Sequence, residues 1–349
     1  MTRTKYLKVK AGKSAFKRLS ENGLSVSDVK IMPGAAGGPK WIILYELDKY
    51  LINEFFAKAE HTIHFIGGSI GAWRSACYIL DDASSAIDRL KEGYLNQRYQ
   101  RPLTKDEVTD TCHNIILNML GSEGTDQILQ STHRKLHVMT SRSHFDASAR
   151  NDRYLKYKLG MTAFSNLLSR KWLNKYFTRE IFSNNESSIL KDDGIRSIHH
   201  DVRPDTLVPS LRASGAIPVA IHPVNIGGRE YWDGGIVDYH LDLSYHIDDG
   251  IVFYPHFLPS ITPGWFDKFH PYRKSQHHDH TLLIYPSDEF ITMLPDKRLT
   301  SRVDFDTYAK DPTLRIKKWY QASDLGKYLV DDFIQLLNPE ILRENLELF

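Results

Sequence analysis

Compact apolar runs alternate with stretches of three-to-four-residue apolar spacing along the first hundred residues of this chain. Residues 29–32 form a run of strand length, and the Gly- and Pro-rich segment 33–39 breaks it. Beyond the break, Trp41, Leu44, Tyr45, Asp48, Leu51, Ile52 and Phe55 recur at helical spacing with one polar member, which predicts a helix with one face on a sheet. Residues 62–66 then predict a second strand, and 70–80 a second helix. Two strand–turn–helix units in succession point to an α/β fold with a largely parallel sheet.

Further along, 84–99 reads as a helix, and Thr104-Lys105-Asp106-Glu107 has the spacing of a capping box opening another. Residues 136–141 alternate like a strand, 154–176 read as a long amphipathic helix, and 195–199, 250–255 and 281–286 as further strands. The stretches 311–337 and 339–348 read as helices. No internal repeat or low-complexity linker interrupts the 349 residues, so the expectation is a single domain, 1–349, with its motifs in 28–240 and strands and helices of 250–349 completing or covering the sheet.

Composition narrows the class. A hydrophobic share of 41% and a charged share of 25% are those of a folded globular protein. A net charge of +2 gives no reason to expect a nucleic-acid partner, and no window approaches the apolar length of a spanning helix. Cys77 and Cys112 supply neither a disulfide framework nor a thiol–metal cluster, so a reducing, cytoplasmic setting is expected. The first 18 residues carry Arg3, Lys5, Lys8, Lys10, Lys13, Lys17 and Arg18 with no acid before Glu21. They read as a solvated basic segment, with attraction to an anionic membrane surface as the alternative.

Chemistry concentrates in three stretches. Gly67-Gly68-Ser69-Ile70-Gly71 fits Gly-x-Ser-x-Gly between a strand and a helix, a context in which Gly67 and Gly71 permit a sharp turn that exposes the Ser69 hydroxyl. The alternative is a plain glycine-rich connection. In the loop 34–40, small residues let backbone N–H groups face a negative oxygen; Pro39 has none to give, so donors fall on Gly37, Gly38 or Lys40, with the Ile70 amide as a further one. Neither nucleotide-binding glycine spacing is met, and no cofactor is called for. Asp233-Gly234-Gly235, taken alone, is most simply an exposed turn.

Together, and in this order, these stretches resemble the patatin-like phospholipase family of lipid acyl hydrolases. Ala213-Ser214-Gly215-Ala216-Ile217-Pro218, just ahead of Asp233, resembles that family's Ala-Ser-x-Ala-x-Pro segment. The resemblance implies a three-layer α/β/α fold with a mostly parallel central sheet, Ser69 as nucleophile, Asp233 as base without an intervening histidine, and Gly37, Gly38 and Lys40 at the oxyanion loop. It implies phospholipid or lysophospholipid esters as substrates and leaves peripheral membrane contact open. Two positions depart from the family pattern, Ala36 and Trp41, where glycines are usual; Trp41 bears on the acyl-binding mouth.

The resemblance leaves two other functions standing: an acyltransferase using the same pair, and a non-catalytic lipid-binding protein on the same frame. An α/β-hydrolase triad would instead draw its base from His240, His246, His256 or His270, but too few strands precede Ser69 for that fold. The run His277-His278-Asp279-His280 lacks a distant second pair of metal ligands and reads as a polar turn. The segment 253–269, with Phe257, Leu258, Ile261, Trp265 and Phe266, suits either a lipid interface or the core. Arg74 suits either a substrate phosphate or a carboxylate.

Overall fold

A computed structural model of the chain describes residues 4–146, 152–184, 189–270 and 272–349. The strands, in chain order, are β1 (Leu7–Ala11), β2 (Val29–Gly34), β3 (Ile63–Gly68), β4 (Arg134–Ser143), β5 (Phe177–Ser183), β6 (Ser197–Asp201), β7 (Val224–Ile226), β8 (Arg229–Asp233), β9 (Ile251–Pro255), β10 (Thr281–Pro286) and β11 (Leu346–Leu348). They form one sheet in the order β11-β1-β10-β9-β2-β3-β4-β5-β6, with β8 on β4 and β7 on β8. The centre of the sheet, β9-β2-β3-β4, is parallel throughout.

The strands are apolar on both faces, as a doubly covered sheet requires. Val29, Phe65, Val138 and Phe253 belong to one core, and their chain neighbours' counterparts Ile31, Ile66, Met139 and Val252 to another on the opposite face. Helices α1 (Lys13–Asn22), α2 (Tyr45–Tyr50), α3 (Ile70–Cys77), α4 (Ala83–Leu95), α5 (Lys105–Leu120) and α6 (Gly124–Gln130) precede β4. All six contribute buried residues to the first core, α2 among them with Tyr45 and Leu47. On the second face lies α7 (Asp152–Leu168), whose Leu155 and Leu159 pack with Phe177, Trp232, Ile236 and Phe266. The result is a three-layer α/β/α arrangement around a mixed, mostly parallel sheet.

The structure corrects several local expectations. Residues 7–11, inside the basic N-terminal segment, are a strand with Leu7, Val9 and Ala11 buried and Lys8 and Lys10 half-buried between them. The predicted helix after Trp41 is three unlike turns: a 3-10 stretch Gly38–Leu44, then α2, then a π turn Leu51–Phe55. The helix expected over 154–176 stops at Leu168 and resumes as a 3-10 turn, Arg170–Lys175. Residues 346–348, expected to be helical, pair in parallel with β1. Thr104 accepts the Glu107 N–H at 3.2 Å, as a capping residue should, but the Glu107 carboxylate reaches Gln100 N instead of closing the box.

Candidate active site

Sheet register explains how Ser69 and Asp233 meet. On β4, Met139 faces Gly68 of β3 and the next residue, Thr140, faces Asp233 of β8. β3 runs parallel to β4 and β8 antiparallel, so the two strands approach head-on along one edge of β4. Their ends carry Ser69 and Asp233. Both side chains are nearly closed off from bulk solvent, at 4% and 6% exposure.

The serine turn is held by backbone packing. Ser69 adopts φ 55°, ψ −130°, a conformation costly for a residue with a side chain. α3 follows it at once and lies so close to β2 that a Cβ on Gly71 would stand 1.9 Å from the Gly34 carbonyl oxygen; one on Gly67 would stand 2.3 Å from Gly71. The Ser69 N–H donates to Ser214 Oγ at 2.9 Å, and that hydroxyl donates to the Met139 carbonyl at 2.6 Å. Ser214, at the end of α8 (Leu207–Ser214), thus ties the turn to β4. Arg74 is not available to a substrate: buried in α3, it makes a two-point ion pair with Asp48 at 2.7 and 2.9 Å.

The aspartate turn is held by charge. Asp233 N donates to Ala216 O at 3.0 Å, and Asp233 Oδ1 accepts from Gly235 N at 2.7 Å. Gly234 lies against the Met139 carbonyl, where a Cβ would come within 2.3 Å. Five residues on, Asp238 receives both arms of the buried Arg179 at 2.7 Å and Arg170 at 3.1 Å. Arg179 also grips Asp193, and Arg170 Nη2 donates to the Val237 carbonyl at 2.8 Å.

Burial raises the Asp233 pKa above the ordinary carboxylate value, against the opposing pull of Arg302, the Gly235 N–H, a hydrogen bond with the Ser69 hydroxyl and Lys268. A carboxylate so desolvated is a better proton acceptor than one in water. The N–H groups of Gly37, Gly38 and Ile70 have no acceptor among the described residues. Gly37 lines the same cleft as Asp233, and Ile70 follows Ser69 directly. Ala36, where glycine was expected, fits because its own neighbour across the cleft, Gly235, has no Cβ to meet it. Trp41 points into the core, edge-on to Tyr94, and takes no part in the cleft.

The cleft over Asp233 is lined by Ala36, Gly37, Ile217, Pro218, Ile236, Tyr239 and Trp265, with Lys268 and Arg302 at its rim. The cleft is narrow, with a volume of about 30 Å³. Lys40, Lys268 and Arg302 have no ion-pair partner among the described residues, whereas the buried Arg74 and Arg179 are each paired. Burial, then the charges of Lys40 and Arg302, push the Lys268 ammonium down to about 7 despite Asp233 nearby. Lys40 is lowered too, by burial and Arg302, and its ammonium lies 5.5 Å over the Phe257 ring.

None of the four histidines of the triad alternative hydrogen-bonds to Ser69 or Asp233. His240 and His256 are fully buried, and burial drives both rings toward the neutral form. Among the described residues no group of histidine, cysteine or acid side chains is arranged to hold a metal ion, the 277–280 run included. Phe257, Ile261 and Phe266, offered above to a lipid interface, are core residues.

Lys268 and Arg302 escaped the sequence reading. Each is an ordinary cation in a segment with no motif, so only the folded structure brings it to the cleft. Ser214 stood in a recognised stretch, but nothing in its spacing discloses its bond to the serine turn. No helix among the described residues is long and apolar enough to cross a membrane. No curated protein matches the chain. A family model described as patatin-like phospholipase matches residues 53–240, from ahead of the serine turn to beyond the aspartate turn. With more than half its length so matched, the chain belongs to the patatin-like phospholipase family and carries that family's lipid-hydrolase character.

Proposed function

We propose that the protein hydrolyses acyl esters of lipids through a covalent intermediate on Ser69. The Ser69 oxygen attacks the ester carbonyl while Asp233 accepts its proton. The negative charge that develops on the carbonyl oxygen is met by the N–H groups of Gly37, Gly38 and Ile70, with the Lys40 ammonium adding a longer-range attraction. Collapse of that intermediate expels the alcohol, which takes the proton from Asp233 and leaves the acyl group on Ser69. Water then attacks the acyl carbon, giving its proton to Asp233, and the fatty acid departs as Ser69 regains a proton. The single observation that supports this reading is the head-on meeting of β3 and β8, whose ends bring Ser69 toward the desolvated Asp233 carboxylate.

The unpaired Lys268 and Arg302 favour esters that bear an anion, such as the phosphate of a phospholipid or lysophospholipid, over neutral ones. Trp41, which departs from the family pattern, is buried in the core and does not line the cleft, so it gives no reason to prefer a non-catalytic lipid binder. The test is labelling of purified protein with a fluorophosphonate, with Ser69→Ala and Asp233→Asn alongside, followed by intact mass. A single adduct on the wild type, missing from both variants, is expected. Labelling that persists in Ser69→Ala would overturn the assignment, and equal turnover of glycerol-acceptor and water-only reactions distinguishes hydrolysis from acyl transfer.

A further inference from the structure

The exposed face of α7 is apolar. Tyr157, Phe164 and Leu168 are 61%, 60% and 57% exposed, Leu167 54%, and Met161 and, in the following 3-10 turn, Trp172 about 40%. Positions 157, 161, 164 and 168 fall on one helical stripe, opposite the buried Leu155, Leu159 and Thr162. Gly160 lies on the same outer side, and a Cβ there would meet nothing within 4 Å. A helix apolar on two faces, with one turned to water, is missing a partner.

Two features identify that partner. Beside the stripe lie the exposed Arg153 and Lys156 and, in the following 3-10 turn, Lys171 and Lys175, the last 4.3 Å over the Trp172 ring; none has an ion-pair partner among the described residues, and the one exposed acid of α7, Asp152, is already bound to Lys105. An apolar stripe edged by cations that no carboxylate among the described residues neutralises complements an anionic lipid surface, with acyl chains beneath and negative headgroups beside. Second, α7 is strapped to the cleft. Asn166 donates to Asp267 at 2.6 Å and Arg170 pairs with Asp267 at 3.2 Å, on the 3-10 turn that carries Trp265 and Lys268. Arg170 also holds Val237 and Asp238, just beyond Asp233.

We infer that the outer face of α7, with Phe164 and Leu168 inserted and Lys156 and Lys171 on headgroups, docks the protein on anionic membranes beside its cleft. The choice of partner rests on the lipid-hydrolase reading; the binding itself needs no turnover. It places the interfacial surface on α7 instead of segment 253–269, whose Phe257, Ile261 and Phe266 are in the core.

The experiment is co-sedimentation with vesicles of phosphatidylcholine alone and of phosphatidylcholine mixed with phosphatidylglycerol. Wild type and Ser69→Ala should bind the mixed vesicles alike, roughly tenfold or more tighter than the neutral ones. Phe164→Glu/Leu168→Glu should lose roughly tenfold or more on both, Phe164→Ala/Leu168→Ala a smaller part of that, and Lys156→Glu/Lys171→Glu should lose the preference for the anionic lipid. Hydrolysis of a monomeric short-chain ester by the Phe164/Leu168 variants should stay within about twofold of wild type, because neither residue touches the cleft. Vesicle binding unchanged in both Phe164/Leu168 variants would overturn the proposal. So would wild type that binds neither vesicle, or a lipid-free dimer in sedimentation velocity that those variants dissociate. An inactive wild type that still binds vesicles through α7 would sink the hydrolase reading and leave this one standing.

Discussion

The two turns that meet at the cleft are built on opposite principles. The serine turn is fixed by contact between backbones: Gly34, Gly67 and Gly71 leave no room for a Cβ, and α3 follows Ser69 without a spacer. The aspartate turn is fixed by side chains reaching from elsewhere, Arg179 from β5 and Arg170 from the turn after α7, both closing on Asp238. Close packing is local, rigid and indifferent to charge. Ion pairing draws on distant residues, and it fails when one partner is removed, because the other is left charged and buried.

The largest effect that would break this comparison lies where the turns join. Ser69→Ala and Asp233→Asn should each lower kcat/KM for ester hydrolysis by roughly a thousandfold or more while the thermal midpoint stays near wild type. A loss of only a few-fold in either would show that the two turns do not work as one device. Next comes the charged half. Arg179→Met should destabilise by about 3–5 kcal/mol, read from urea midpoints, since Asp238 and Asp193 lose their common partner. Restoring balance with Asp238→Asn in the same chain should recover part of that loss.

Gly71→Ala probes the packed half. It should cost about 1–3 kcal/mol by forcing α3 away from β2, and activity should fall more than stability because the Ile70 amide moves with the helix. If Gly71→Ala proved silent, close approach would not be what shapes the serine turn. The smallest effect concerns the rim. Activity should rise with pH as Asp233, its pKa raised by burial, gives up its proton. On anionic esters it should fall again above about 7 as Lys268 loses its charge, and Lys268→Gln should remove that alkaline limb. Neutral esters should show the first limb only. Arg302→Gln should cost a few-fold in KM for anionic esters, and an unchanged KM would remove the rim from substrate recognition.

How much of this was legible beforehand follows from the same contrast. Backbone packing needs glycines at fixed local spacing, so Gly67, Ser69 and Gly71 are readable in the sequence. Ion pairing leaves no local trace: Arg170, Arg179 and Asp238 are ordinary charged residues until the fold brings them together. Strand β8, which delivers Asp233, did carry a signal that went unused. Gly227-Gly228, both in the left-handed region at φ 59° and 78°, form the two-residue connection between β7 and β8 that a hairpin calls for. Strand β1 was hidden by its own lysines, since Leu7-Lys8-Val9-Lys10-Ala11 reads equally as a charge run or as a half-buried strand. The outer face of α7 was hidden because apolar spacing does not say which of two apolar faces is covered.

Strand β1 also bears on how the protein is made. Both its neighbours in the sheet come from far downstream, β10 at 281–286 and β11 at 346–348. On the ribosome the strand is released long before either exists, with its backbone donors and acceptors unmatched and Leu7 and Val9 uncovered. Lys8 and Lys10, alternating with those apolar residues, act as gatekeepers that discourage pairing between nascent chains until the proper edge arrives.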